Sequence, residues 1–269
     1  MPSAPTIAVA IPVYNGARHI GAAVRSLVGQ TYPHWRLCVH DNASTDNTRL
    51  AVESFQDPRI QLIHHRRHAP MHESWQRCLD DVRGDFLQLL CADDCLHPAC
   101  FETKVREAAK PENRDIALFT SNRMLITGGG RRLFPQGYAK TAASATLAEV
   151  LRGVAGRTNP IGDPGAVLIR TEILRKETRA FCGQLTMDID FWLRLLEHGN
   201  LRHLPQTLSY FRLGGTTGRH FGKDWREYFS FYRTAVRRRL PVAPWWYYAG
   251  YPAAAGRFVL RKMAYAVAG

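Results

Sequence analysis

The chain has 269 residues, of which 45% are hydrophobic, and a formal charge of +13. This length fits one large domain or one domain with an appendage, and no run reaches the roughly 18 to 20 apolar residues of a membrane-spanning helix. These values exclude a disordered chain and an integral membrane protein. The opening residues, MPSAP, lack the charged flank and apolar stretch of a secretory signal, so we expect a cytoplasmic protein.

The first 115 residues alternate between strand-like and helix-like patterns. The predicted strands are Thr6–Val13, Trp35–His40, Arg59–His64 and Asp85–Cys91. The predicted helices are Ile20–Leu27, Ser44–Phe55 with Ser44 as the N-cap, Met71–Val82, and one that begins near Pro98. This alternation predicts an α/β fold, with a parallel sheet covered by helices on both faces.

The pattern loosens after residue 115. Short strands are predicted at Ile116–Phe119 and Ala166–Ile169, with a turn at Gly128–Gly130 between them and a loop over Arg157–Gly165. An amphipathic helix is predicted over Met187–Glu197. The tail beyond residue 221 is helical in pattern and rich in aromatic residues.

Charge and cysteine content narrow the function classes. Residues 219–269 carry ten Lys or Arg against two acids, an excess of +8, whereas residues 1–218 carry an excess of only +5. A nearly balanced body with a basic tail predicts an acidic partner at one end of the molecule. The six cysteines form no paired C-x-x-C clusters, which favours thiols in a reducing compartment over disulfides or a zinc site. They are Cys38, Cys78, Cys91, Cys95, Cys100 and Cys182.

Polar residues lie at the ends of three of the predicted strands. The three segments are Pro12–Asn15, Asp41–Asn42 and Asp93–Asp94. In open α/β sheets, ligands bind beyond the carboxyl ends of the strands. Neither the Rossmann G-x-G-x-x-G fingerprint nor a P-loop follows the first strand. The adjacent carboxylates of Asp93 and Asp94 suit a divalent cation that shares its ligands with substrate phosphates. Capping of the next helix is the alternative role.

Four segments occur in a fixed order: VAIPVYNGARHIGAAVRSLVGQTYPHW, HDNASTDNT, RGDFLQLLCADDCLHP and MDIDFWLRL. They resemble the P-x-Y-N, D-(D/N)-x-S-x-D-x-T, D-x-D-type and E-D-x-(D/E)-(L/F)-W-L-R motifs of the family 2 inverting glycosyltransferases. The later EHG and LSYFR segments match the family's usual continuation, so the resemblance covers roughly residues 6–220.

The resemblance implies a GT-A fold over residues 1–218, which is a Rossmann-like, mostly parallel sheet flanked by helices. Residues 219–269 would then form a helical, aromatic and basic appendage. It also implies transfer of a sugar from a nucleotide-diphosphate donor, with a UDP-sugar favoured, to the hydroxyl of a glycan or lipid-linked glycan in cell-surface glycan synthesis. The cofactor implied is a divalent cation, Mn²⁺ or Mg²⁺.

The site residues implied by the resemblance fall into three groups. The first group binds the nucleotide base: Pro12, Tyr14 and Asn15 would line its pocket, and Asp41 would contact it. In the second group, Asp93 would face the ribose or the metal, and Asp94 would coordinate the cation. The third is Asp188 alone, which would be the general base of the reaction. Two positions depart from the family pattern. Cys91 stands where the acidic motif often begins with Asp, and Met187 replaces the usual Glu before Asp188.

Two basic features have alternative interpretations. The cluster His64–His68, which includes Arg66, would contact phosphate or base, or it forms a solvated face; Pro70 argues against a zinc site on one helix with His72. Arg212 precedes a GGTTG stretch that resembles the family's loop closing over the diphosphate, and a plain surface loop is the alternative.

Helix spacing gives two predictions around Asp188. Trp192 lies four residues after Asp188 on the same helical face, and we expect it to be a core residue rather than an acceptor contact. Asp190 and Arg194 have the same spacing and are predicted to form an ion pair.

The tail combines clustered arginines with Trp245–Tyr248, and its prolines argue against a spanning helix. This composition favours peripheral contact with an anionic membrane, at its inner face. Packing on the catalytic domain and a homodimer contact are the alternatives. Two rival functions are disfavoured: a nucleotidyltransferase would show a Gly-rich basic loop after the first strand, and the chain contains no recognised nucleic-acid-binding pattern.

Overall fold

The computed structural model describes residues 4–80, 82–154, 159–179, 181 and 186–214, with the single positions 234 and 239. Apart from those two positions, the predicted tail lies outside the described residues, as do Cys182 and the GGTTG stretch beyond Gly214. The other five cysteines are thiols rather than disulfides.

The first four strands form a parallel sheet in the order β3-β2-β1-β4. They are β1 (Ile7–Val13), β2 (Trp35–Asp41), β3 (Ile60–His64) and β4 (Phe86–Leu89). The helices that connect them are α1 (Ile20–Val28), α2 (Thr48–Glu53) and α3 (Met71–Asp80). Strands covered on both faces read as continuous apolar runs, which is why β1 and β4 could be predicted from the sequence.

The sheet continues from β4 in the order β9-β6-β10-β5, with β7 paired to β6 and β8 paired to β10. The remaining strands are β5 (Cys95–Leu96), β6 (Ile116–Ile126), β7 (Arg132–Gln136), β8 (Ala143–Ala145), β9 (Val167–Arg170) and β10 (Asn200–Arg212). The remaining helices are α4 (Cys100–Ala108), α5 (Leu147–Val154), α6 (Thr171–Leu174) and α7 (Met187–Leu195).

The α/β architecture with flanking helices is confirmed, but the sheet is more mixed than predicted. β9 runs antiparallel to both β4 and β6, whereas β6 and β10 are parallel to each other. The start of β9 therefore lies at the same edge of the sheet as the ends of β1 to β4. This reversal brings the segment before β9 to the edge where ligands bind in α/β sheets.

The structure tests three local predictions, which concern a helix cap, a helix end and a glycine turn. The prediction of Ser44 as an N-cap is wrong: α2 begins at Thr48, and the Ser44 hydroxyl instead accepts a hydrogen bond from the Asn15 backbone N–H at 2.9 Å. Helix α3 ends at Asp80, two residues earlier than predicted. The predicted glycine turn is confirmed, because it joins β6 to β7 and Gly130 has a φ of 90°.

Apolar side chains cover both faces of the sheet. One layer contains Trp192 and Phe191 of α7, and the other contains Ile20 of α1 and Phe101 of α4. Trp192 is fully buried, so its predicted place in the core is confirmed. The core thus fixes α7, and with it the position of Asp188, against the sheet.

Candidate active site

The turn after β1 is fixed by the segment between β2 and α2. Asn15 has a φ of 50°, a conformation that Asn tolerates better than most residues. Its side-chain oxygen accepts a hydrogen bond from the Thr45 N–H at 2.8 Å. Tyr14 is exposed and meets the ring of His68 edge-on, with centroids 4.3 Å apart, while Pro12 is half-buried within β1. The turn therefore presents an aromatic ring at the end of the sheet.

Asp41 is fully buried at the end of β2 and both of its carboxylate oxygens have partners. Oδ1 accepts the Ser44 N–H at 3.0 Å, and Oδ2 lies 2.8 Å from His64 Nδ1. This pairing and the contact between Tyr14 and His68 place the basic segment 64–68 beside the ends of β1 and β2. Arg66 is exposed on this segment.

The turn after β4 brings together the side chains of Cys91, Asp93 and Asp94. One ligand atom from each side chain lies within 4.8 Å of the others. Among the described residues, these three side chains form the group that could hold a metal ion. Asp94 is 1% exposed, and its Oδ1 accepts the Arg212 N–H at 2.8 Å. Its Oδ2 is buried and has no hydrogen-bond partner among the described residues. A buried oxygen without a partner next to two further donor atoms fits a cation site.

The electrostatics of this turn also favour a cation. Burial, reinforced by the charges of Asp93 and Asp163, raises the pKa of Asp94 well above its ordinary value. Burial likewise raises the pKa of Asp93, although a backbone hydrogen bond and Arg212 oppose the effect. Two neighbouring carboxylates repel each other when both are charged. A divalent cation bound between them removes this repulsion.

Arg212, at the end of β10, holds in place the turn after β4, residues 91–94, which is the acidic turn of this site. Its Nε donates to the Asp93 carbonyl at 2.8 Å, and one of its terminal nitrogens donates to the Gly128 carbonyl at 2.9 Å. The residue is 9% exposed. The structure therefore places Arg212 under the acidic turn, where its guanidinium binds the main chain.

Asp188 lies in the first turn of α7, and both of its carboxylate oxygens accept hydrogen bonds. Asn159 Nδ2 donates to Oδ2 at 2.9 Å, and the Ile189 N–H donates to Oδ1 at 2.8 Å. The Asn159 amide also exchanges two hydrogen bonds of 3.0 Å with the backbone of Gly162. Trp192 donates its ring N–H to the same Gly162 carbonyl at 3.1 Å. The start of α7 is therefore tied to the segment 159–163.

The turn after β4 and the start of α7 lie near each other. Burial raises the pKa of the Cys91 thiol well above its ordinary value, and the charges of Asp94, Asp93, Asp163 and Asp188 raise it further. Coulomb interactions fade with distance, and Asn159, which donates to Asp188, is also hydrogen-bonded to Gly162 next to Asp163, so these carboxylates lie in one region of the protein. The structure thus brings the predicted metal ligands and the predicted base together.

Several polar residues of this site could not be recognised from the sequence. Arg123 on β6 forms a buried ion pair with Asp163, with Nε and Oδ1 3.1 Å apart. Lys104 on α4 is fully buried and donates to the Ala166 carbonyl at 2.9 Å, and Gln88 on β4 donates to the Pro164 carbonyl at 2.7 Å. They hold the segment 159–166, which the sequence predicted as a plain loop. The Asn-Pro and Asp-Pro pairs of this segment were the available signal, since they favour tight turns.

The described helices are all too short or too polar to cross a bilayer.

The predicted ion pair within α7 is confirmed, with Arg194 Nε 2.9 Å from Asp190 Oδ2.

The fold is similar to those of solved structures of other proteins. The fold aligns with Staphylococcus aureus TarS 1–349 in complex with UDP-GlcNAc at a TM-score of 0.65 and 18% identity, over 86% of this chain and 66% of that chain. It also aligns with the mannosyltransferase PcManGT from Pyrobaculum calidifontis, in complex with GDP-Man and Mn²⁺, at a TM-score of 0.60 and 16% identity, over 99% and 86% of the two chains. The protein therefore has the GT-A glycosyltransferase fold.

Sequence comparison identifies the family. The family described as glycosyl transferase family 2 matches residues 8–176, so the chain belongs to this family. It is 34% identical over 88 residues, 33% of this chain and 35% of the relative, to WfgD of Escherichia coli. That relative is named as a UDP-Glc:alpha-D-GlcNAc-diphosphoundecaprenol beta-1,3-glucosyltransferase.

Proposed function

We propose that this family 2 glycosyltransferase moves a sugar from a UDP-sugar to a hydroxyl of a lipid-linked glycan, with inversion at the sugar carbon. The observation that carries the proposal is the convergence of two sets of carboxylates around Cys91. Asp93 and Asp94 come from the turn after β4, and Asp188 comes from the start of α7. One set would bind the donor and the other would activate the acceptor.

On the donor side, Asp94 and Asp93 are the residues that would hold a divalent cation, Mn²⁺ or Mg²⁺. Such a cation, when bound, offsets the negative charge that develops on the departing diphosphate. The exposed ring of Tyr14, with Pro12 and Asn15 behind it, would bind the base. Asp41 would orient the base with the help of His64.

Basic residues on two sides of the donor pocket would complete the binding of the diphosphate. Arg66 lies on the exposed segment beside Tyr14 and is suited to phosphate contact. Arg212 would act through the acidic turn that it holds.

On the acceptor side, Asp188 would accept the proton of the attacking hydroxyl. The two hydrogen bonds from Asn159 and the Ile189 N–H fix the orientation of the carboxylate before the substrate binds. A positioned base of this kind contributes about 10²- to 10⁴-fold to a rate. In-line attack with one base, and without a covalent nucleophile on the protein, inverts the anomeric centre.

The substrate classes are supported by the names of similar proteins. WfgD is named for a UDP-sugar donor and a diphosphoundecaprenol-linked acceptor, and the TarS structure contains UDP-GlcNAc. PcManGT instead binds GDP-Man, so the fold alone does not select the base. A lipid-linked acceptor would place the protein at the inner face of the membrane, which agrees with the basic composition of residues 219–269.

A nucleotide-sugar binding panel tests the donor half of this proposal. We expect the chain to bind a UDP-sugar more tightly with Mn²⁺ or Mg²⁺ than without, and Asp94→Ala to remove this dependence, because the variant loses the buried carboxylate. Calorimetry with and without metal measures the effect. Glu53→Ala is the control, since it removes only an exposed carboxylate paired with Arg49. Equal metal dependence in Asp94→Ala would contradict the assignment.

A further inference from the structure

Cys91 occupies an unusual position for a thiol. It lies in the turn after β4, half-buried, and its sulfur lies within 4.8 Å of a carboxylate oxygen of Asp93 and of Asp94. Two ligands of one ion, an oxygen at about 2.1 Å and a sulfur at about 2.3 Å, lie no more than about 4.4 Å apart. The three atoms therefore need only a small adjustment to share one ion.

The second observation is the buried Oδ2 of Asp94. Asp94 is 1% exposed, its Oδ1 is held by the Arg212 N–H, and its Oδ2 has no partner among the described residues. A buried carboxylate oxygen that accepts no hydrogen bond is costly unless a ligand binds it. The backbone also closes the turn tightly, with the Asp94 N–H donating to the Cys91 carbonyl at 3.1 Å. This hydrogen bond keeps the thiol and the carboxylate on the same short loop.

We propose that Cys91 is a sulfur ligand of the divalent cation held by Asp93 and Asp94, and that it makes this site prefer thiophilic cations over Mg²⁺. The proposal rests on the metal role assigned to the two aspartates above. Mg²⁺ is a hard ion that takes oxygen ligands, whereas thiolate favours softer ions such as Co²⁺, Zn²⁺ and Cd²⁺. On binding, the thiol gives its proton to solvent and the sulfur donates to the metal.

Cobalt spectroscopy of the reduced 269-residue chain tests the proposal without any sugar transfer. The probe is Co²⁺ alone, and the readout is the near-ultraviolet charge-transfer band of a thiolate bound to cobalt. We expect the band in the native chain and its loss in Cys91→Ser. Cys95→Ser is the matched control, since Cys95 is a thiol at the start of β5, directly after this turn, but does not belong to the cluster. It should keep the band.

A competition experiment measures the selectivity. We expect Cys91→Asp, which offers oxygen in place of sulfur, to lower the ratio of Cd²⁺ to Mg²⁺ affinity by at least the roughly 10- to 100-fold that follows when a mere hydrogen-bond partner of a metal ligand is lost. An unchanged ratio, or a band that persists in Cys91→Ser, overturns the proposal.

Asp94→Ala separates this proposal from the proposed function. If Co²⁺ binds the native chain without the band and Asp94→Ala abolishes binding, the aspartates hold the metal but the sulfur does not, and only the inference about Cys91 is overturned. If Asp94→Ala binds Co²⁺ as the native chain does, the metal lies elsewhere and both proposals are overturned. The native spectrum itself is informative, so the test does not depend on the folding of a Cys91 variant.

Discussion

At the scale of single residues, the two ends of the site differ in how their carboxylates are supported. Asp94 is enclosed, and one of its oxygens has no hydrogen-bond partner among the described residues. Asp188 is half-buried and receives hydrogen bonds on both oxygens. Hydrogen bonds on both oxygens fix the orientation of a carboxylate, and a general base must be positioned within reach of the proton that it accepts. The first environment therefore suits a cation ligand, and the second suits proton abstraction.

Replacing Asp188 tests its role as the base. We expect Asp188→Asn to bind the donor as the native chain does but to transfer sugar about 10²- to 10⁴-fold more slowly, because the amide cannot accept the proton. Donor affinity by calorimetry and transfer by product analysis measure the two effects. Glu53→Gln, which changes only an exposed carboxylate paired with Arg49, is the control and should retain transfer. Native turnover in Asp188→Asn would eliminate the assigned role.

At the scale of elements, α7 is held from both ends. Its first turn is tied to the segment 159–163, and its last turn to the segment after α6, where Arg194 lies 3.2 Å from Glu177. Arg179 binds the other oxygen of Glu177 at 2.5 Å. Glu177 is 2% exposed, so this ion-pair network is buried on the side of the carboxylate. The network fixes the helix that carries Asp188.

The network predicts how stability depends on pH. Burial tends to raise the pKa of Glu177, but hydrogen bonds from Arg179 and the charge of Arg194 lower it to about 2. A pKa lowered from 4.5 to about 2 in the folded state corresponds to at most about 3 kcal/mol of stability, and the actual contribution is smaller because solvent around the half-exposed Arg179 screens the pair. Because the folded pKa is lowered, this stability is present above pH 4.5 and is lost as the pH falls towards about 2.

We therefore expect Glu177→Gln to unfold more easily than the native chain near neutral pH, with a difference that shrinks as the pH falls below about 4.5. Urea unfolding across this pH range measures it. Glu53→Gln, which breaks only the exposed pair with Arg49, should cost less than about 1 kcal/mol at any pH. A difference between Glu177→Gln and the native chain that stays constant down to the lowest pH would refute the role of this network.

At the scale of the whole molecule, the sequence predicted the parallel half of the sheet because its strands are short apolar runs between turn residues. It did not predict β10, whose residues include Pro205, His203 and two arginines. That strand is held by ten register partners on β6, and such long-range pairing leaves little local pattern. β8 was not predicted for the same reason. Helix α5 does carry a local signal, since Thr146 and Glu149 form a capping box at its start.

The site residues divide in the same way, into those that the sequence predicts and those that depend on long-range contacts. Asp41, Asp93 and Asp94 follow predicted strands, so topology alone brings them to one edge. Asn159 and Asp163 could not be predicted, because their position depends on the reversal of β9 and on buried partners from other elements. Polar residues of this kind show their role only when their hydrogen-bond partners are known.

The uneven charge of the molecule gives the last prediction. Residues 219–269 carry an excess of +8, and a Lys or Arg close to an anionic membrane contributes about 1 kcal/mol to binding. We expect the full chain to float with vesicles rich in anionic lipid but not with neutral ones, and added salt to weaken this binding. Arg239 donates to Glu197, which lies just after α7, at 2.8 Å, so it is left intact in the test.

Replacing Arg237 and Arg238 together by Gln should weaken vesicle binding by about 30-fold, the equivalent of about 2 kcal/mol. The control removes the same charge outside the basic tail, at the exposed Arg36 and Arg114, and should leave binding unchanged. Binding lost equally in both variants would mean that net charge alone attracts the protein to the vesicle. Binding unchanged in the first variant would assign the basic tail to another partner, such as a second copy of the chain.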